Sequence, residues 1–105
     1  MKKNPSKSGN KYAELAEPQR QLDFHQLGLL TPDQILEEIE DFLVTAEKDG
    51  LKKVLIITGK GLHSKDGQAV IRPLIEDYLK RSDLIKTFSF APIHRGGEGA
   101  FLVMI

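Results

Sequence analysis

At 105 residues the chain has room for one domain with a small core, since a domain of this size buries only about 60–65% of its unfolded surface. The composition, 40% hydrophobic and 29% charged, is that of an ordinary globular domain, and the lack of cysteine excludes a disulfide framework, a thiolate nucleophile and a cysteine zinc site. A formal net charge of zero argues against a general nucleic-acid binder, but residues 31–50 hold seven acids and one base, leaving fourteen bases against eight acids elsewhere.

Residues 1–19 are rich in Lys, Ser, Asn, Gly and Pro, with one apolar cluster at Tyr12, Ala13, Leu15 and Ala16. They read as a flexible basic arm preceding a folded domain at 20–105. The basic opening Met1-Lys2-Lys3-Asn4-Pro5 has no apolar segment after it, unlike a secretory signal. The longest apolar runs, 54–57 and 101–105, fall far short of the ~20 residues of a membrane helix. A cytoplasmic location with no membrane partner is the simplest expectation.

A first strand is expected over 21–25. Alternation places Leu22 and Phe24 in the core, with Asp23 and His25 together on the other face. Thr31-Pro32-Asp33-Gln34 is a helix start: Thr31 caps, Pro32 suits the first helical position and Gln34 completes a capping box. Ile35, Leu36, Ile39, Phe42, Leu43 and Ala46 form one apolar stripe with the acids opposite, and Gly50 ends the helix. Lys52 to Thr58 reads as a central, parallel strand.

A polar, glycine-containing loop follows at 59–67. A second helical stripe then runs through Val70, Ile71, Leu74, Ile75, Tyr78 and Leu79, in a helix beginning close to Gln68, with Pro73 awkwardly placed in it. Residues 84–91 read as a third strand, with Phe88 and Phe90 on one face. The turn at 94–99 and a fourth strand at 100–105 complete a hairpin. The expected fold is α/β: a two-layer sandwich of β-α-β-α-β-β order, with two helices on a mixed four-stranded sheet.

Parallel strands joined by helices place ligands at their carboxyl ends. There the first strand offers Asp23 and His25, and the second offers Thr58-Gly59-Lys60-Gly61. An acid beside an imidazole suits proton transfer or metal chemistry; two solvated polar residues on a half-buried strand are the plain alternative. Gly59, Lys60 and Gly61 suit an anion, through close backbone approach and a point charge, or simply form a tight turn. Arg95 with Gly96 and Gly97 offers a second cationic, glycine-lined loop, or an ordinary hairpin turn. The spacing of a nucleoside-triphosphate loop is absent, and His25, His63 and His94 have no recognised metal spacing.

Leu22-Asp23-Phe24-His25, Thr58-Gly59-Lys60-Gly61 and Gly96-Gly97-Glu98-Gly99-Ala100, in that order, resemble the three motifs of the Smr (small MutS-related) domain, over about four-fifths of the chain. The resemblance implies a two-layer α/β fold and a nucleic-acid endonuclease that nicks DNA or cleaves RNA. The family occurs on a mismatch-repair relative and as stand-alone bacterial proteins, some of which cleave messenger RNA on collided ribosomes. It carries Asp23 and His25 over as catalytic, and Gly59 and Gly61 as the glycines of the second motif, with Lys60 between them. Two positions depart from the pattern: Gln26 follows the motif histidine where the family often has glycine, and Thr58 stands where many members have histidine.

Three functions follow as expectations. In a phosphodiesterase acting on RNA, His25 is general base or acid, Asp23 steadies it, and Lys60, Arg95 and loop amides stabilise phosphoryl charge, with no metal required. Acting on DNA, water attacks and Asp23 can hold a Mg²⁺. Alternatively, the same glycines and cations grip nucleic acid or a ribosome without cleavage. A third reading is a protein-interaction domain built on the acidic helix.

Overall fold

The computed structural model describes residues 17–59 and 68–105. The proposed arm therefore lies outside the described residues up to position 16, and so do Lys60, Gly61 and His63.

Strand β1 spans Arg20–Asp23 and runs into a 3-10 turn, Phe24–Leu27. Helix α1 (Pro32–Lys48) comes next, then β2 (Lys53–Ile57), helix α2 (Gln68–Arg81), β3 (Thr87–Phe90) and β4 (Ala100–Met104). Two further 3-10 turns, Ile93–Arg95 and Gly97–Gly99, lie between β3 and β4. The strands form one sheet in the order β1-β2-β4-β3. β1 is parallel to β2, with Asp23 opposite Ile57, whereas β4 is antiparallel to both β2 and β3. The α/β class and the mixed four-stranded sheet are as expected. The expected element order is interrupted by 3-10 turns, and β2 is central but parallel on one side only.

α1 forms where its sequence dictates. Thr31 Oγ1 accepts from the Gln34 amide at 3.1 Å, and Gln34 Oε1 accepts from the Thr31 amide at 2.9 Å, so two otherwise orphaned donors are satisfied reciprocally. At the far end Asp49 caps the helix, and Gly50 turns the chain at φ +76°. The Arg20 guanidinium pairs with Asp49 at 2.9 Å, tying the start of β1 to this end of α1.

α2 begins at Gln68 and includes Pro73. The proline has no N–H to donate to the carbonyl four residues back, so α2 gives up one bond of its ladder there.

Both helices pack on one face of the sheet. Ile35, Ile39, Leu43 and Ala46 of α1 meet Ile71, Ile75 and Leu79 of α2 over Phe24, Val54, Ile56, Phe101 and Val103. Each aliphatic side chain fully withdrawn from water there contributes about 1.5–3 kcal/mol before its ordering entropy is counted. A smaller cluster of Leu55, Ala91, Ala100 and Leu102 lies on the opposite face. Burial on both faces explains why β2 reads as an unbroken apolar run over 54–57.

Two strand boundaries differ from expectation. β3 is Thr87–Phe90, not 84–91, because Ser82 Oγ accepts from the Leu84 amide at 3.1 Å and holds a turn there. β1 stops at Asp23, two residues early, with consequences for the site.

Candidate active site

The ends of β1, β2 and β3 and the start of β4 share one edge of the sheet. The expectation that Asp23 and His25 meet by strand alternation is corrected here: His25 does not lie on the strand. Asp23 has extended backbone, and its Oδ1 accepts from the His25 amide at 2.9 Å, which caps the 3-10 turn. The turn buries Phe24 completely and returns the imidazole toward the carboxylate that capped it. His25 Nδ1 lies 3.6 Å from the same Asp23 Oδ1. The carboxylate is 19% exposed and the imidazole 55%, so a sheltered acid backs an accessible ring.

The ring lies against Gly59. A Cβ at this position would sit 2.6 Å from His25 Cε1 and 2.8 Å from Nε2, and the backbone there has φ +81°. Both features favour glycine.

Gly59 is in turn fixed to the β3–β4 loop. The Gly99 carbonyl accepts from the Thr58 amide at 2.9 Å and from the Gly59 amide at 2.8 Å. The Thr58 hydroxyl is buried and donates to the Gly59 carbonyl at 3.0 Å, with the Gly99 carbonyl at 3.4 Å. Thr58 thus fastens the loop instead of facing the site. The structure therefore brings Asp23, His25, Gly59 and the third motif's glycine loop into one assembly.

Four of the described loop amides already have partners. Gly59 donates to Gly99, Gly96 to Ile93, Gly97 to Pro92 and Arg95 to Pro92, all within the fold. What Gly59, Gly96 and Gly97 offer a ligand is close approach, not N–H groups of their own. The Arg95 guanidinium is also engaged, in an ion pair with Glu17.

A cation that the sequence reading missed stands at the same edge. Arg72, in the second turn of α2, donates to the Glu98 carbonyl at 3.3 Å and lies over the Phe90 ring, 5.5 Å from its centroid. Its signal was available: a helix that follows a parallel strand begins at the strand's carboxyl edge, so its first turns face the site.

Among the described residues, no three His, Asp or Glu side chains converge as a metal site. Asp23 is the candidate ligand for a Mg²⁺, and most of that ion's shell would have to come from substrate phosphate and water.

These elements define a two-layer α/β domain carrying an aspartate–histidine pair on a glycine bed at the carboxyl edge of its sheet. The Smr domain family model matches residues 22–105, and the chain belongs to that family. It is 34% identical over 71 residues to endonuclease MutS2 of Levilactobacillus brevis, covering 68% of this chain and 8% of that protein. It is 36% identical over 64 residues to the probable DNA endonuclease SmrA of Escherichia coli, covering 61% of this chain and 34% of that one. The chain therefore spans a small part of MutS2 and about a third of SmrA. The stand-alone small MutS-related protein YdaL of Escherichia coli superimposes with a TM-score of 0.76 at 25% identity, over 100% of this chain and 79% of YdaL. No helix among the described residues is long and apolar enough to cross a membrane.

Proposed function

We propose that this chain is a nucleic-acid endonuclease of the Smr type, with RNA the favoured substrate and His25 the group that moves the proton. One observation carries the reading: the imidazole is half exposed, yet has the Asp23 carboxylate 3.6 Å away on one side and lies on Gly59 on the other. The endonuclease names of its relatives support the reaction class.

In RNA the attacking 2′-hydroxyl belongs to the substrate. The 2′-oxygen bonds to phosphorus as the bond to the 5′-oxygen breaks. The imidazole takes the 2′ proton or supplies one to the leaving 5′-oxygen, and water handles the other transfer. Such proton transfer contributes about 10²–10⁴-fold. Asp23 orients the ring and opposes the charge of the imidazolium. Lys60 and Gly61 remain proposed phosphate contacts, as do Gly96 and Gly97. Arg95 can serve only if a phosphate displaces Glu17. In DNA a water attacks instead, and a Mg²⁺ held at Asp23 would polarise it.

The test is incubation of the pure protein with end-labelled RNA and DNA, with and without EDTA, beside His25→Ala. Expected are a 2′,3′-cyclic phosphate and a 5′-hydroxyl, insensitive to EDTA and lost in His25→Ala. A 5′-phosphate product that disappears with EDTA overturns the RNA mechanism. Binding without cleavage, unchanged in His25→Ala, overturns catalysis and leaves a binding module.

A further inference from the structure

Four large hydrophobic side chains are exposed among the described residues: Leu27, Leu29, Phe90 and Ile93. All four lie at the carboxyl edge. Leu27 and Leu29 come just after His25; Phe90 and Ile93 flank the exit of β3. Ile93 is 93% exposed, which no packing requirement explains. Surface apolar residues are ordinary when scattered, but gathered at one edge they mark a contact surface.

On the β3 side they border an open depression of about 810 Å³, lined by Arg72, Phe90, Ile93, Gly96, Gly97 and Glu98 among others. Its wall is ordered in layers. Phe101 is buried and stacks on Phe90 with centroids 5.4 Å apart and planes 22° apart, and Arg72 lies over Phe90 in turn. The bond from Arg72 to the Glu98 carbonyl fixes the guanidinium in its plane. A planar cation backed by an aromatic ring, beside exposed apolar surface and a glycine-bordered wall, is the chemistry that accepts a nucleotide. The guanidinium binds phosphate or stacks on a base, the apolar groups cover the base face, and the glycines let the backbone approach.

The depression is also joined to the active site. Its loop supplies the Gly99 carbonyl that holds Gly59 beneath His25. Three strand spacings separate β1 from β3, roughly 14 Å at ~4.8 Å each, so a strand lying across this edge spans both.

We propose that this depression is a subsite for one unpaired nucleotide of the substrate strand, a short distance from the scissile phosphate. Arg72 holds its phosphate or stacks on its base, Phe90 backs the guanidinium from beneath, and Ile93 covers the base. A paired base keeps its faces inside the helix stack and cannot enter. The subsite therefore selects single-stranded or splayed nucleic acid over duplex. This inference rests on the endonuclease reading for its substrate class.

The test is fluorescence anisotropy with a labelled single-stranded RNA and with the same strand in a blunt duplex. It uses the His25→Ala protein, so that no cleavage intervenes. Expected is tighter binding of the single strand. Phe90→Ala, which removes the support under Arg72, and Ile93→Ser, which removes apolar cover from the base, should each weaken it about tenfold, with little change for duplex. Arg72→Ala should weaken binding and make the salt dependence shallower by about one phosphate contact. Arg72→Lys should keep the salt slope and lose most of the affinity, because it keeps the charge and loses the plane.

Ile93 is fully on the surface, so Ile93→Ser tests the subsite even if Phe90→Ala disturbs the fold. Single-strand affinity unchanged in Ile93→Ser and Arg72→Ala overturns the subsite, as does equal loss for single strand and duplex, or no binding by the parent. Cleavage by the wild-type chain is scored separately. A failed subsite with His25-dependent cleavage intact leaves the endonuclease reading standing, and single-strand binding without cleavage does the reverse.

Discussion

Gly59→Ala tests the site at its narrowest point. An added methyl would lie 2.6 Å from His25 Cε1 and 2.8 Å from Nε2. Carbon atoms rest at about 3.5–4.0 Å, so the ring must retreat by roughly 1 Å. It can do so cheaply, being the half-exposed end of a side chain with two torsions. The backbone cannot adjust as easily, and an L-residue at φ +81° costs about 1–2 kcal/mol. The expected outcome is a folded protein with Tm lowered by roughly 4–8 °C per kcal/mol, as is usual for a domain of this size. Cleavage should fall about 10²-fold, the usual consequence of moving a reacting group by 1 Å. Thermal unfolding and an RNA cleavage assay measure the two effects separately. In the His25→Ala background the same substitution should still lower Tm but should reduce cleavage no further. Wild-type cleavage in Gly59→Ala, alongside the expected loss of stability, would refute the idea that this bed sets the working position of the ring.

Removing the cap with Thr31→Ala should cost about 1 kcal/mol in urea unfolding, because it leaves the Gln34 amide without its acceptor. Leu43→Ala, at a position with no exposure between helix and sheet, should cost about 2–5 kcal/mol, enough to unfold much of so small a domain. Burial raises the pKa of the Tyr78 phenol above its ordinary 10.0, and the nearby Glu40 charge adds to this, while a hydrogen bond from Ser82 opposes it. The folded state therefore holds this proton more tightly than the unfolded chain does. The resulting stability is complete below pH 10 and is lost as pH rises from there through the raised value. Tyr78→Phe should flatten that alkaline decline in urea midpoints.

α1 was legible almost to the residue, because its cap, proline, apolar stripe and terminal glycine all name the same boundaries. The sheet was legible as a set of strands, and so was the shared edge, since the run at β2 and the motif at β1 fit neighbouring parallel strands. Local competition for hydrogen bonds was the misleading factor. Alternation carried the first strand through His25, whereas an aspartate can end a strand by capping the turn after it, and Asp23 does so. The two side chains do come together, but through a turn and not by alternation along a strand. Arg95 stands beside the glycines as read, and its pairing with Glu17 is a contact that proximity in sequence does not announce. Arg72 was hidden inside a helical stripe, where a cation normally signifies only a solvated face.

The Gly99 carbonyl, which accepts from two successive amides, behaves as a rivet between the exit of one strand and the entry of another. Loosening the wall that contains Glu98 therefore also loosens the hold on Gly59, the support under His25. An occupant that steadies one therefore helps steady the other, across the direct pairing of β2 with β4.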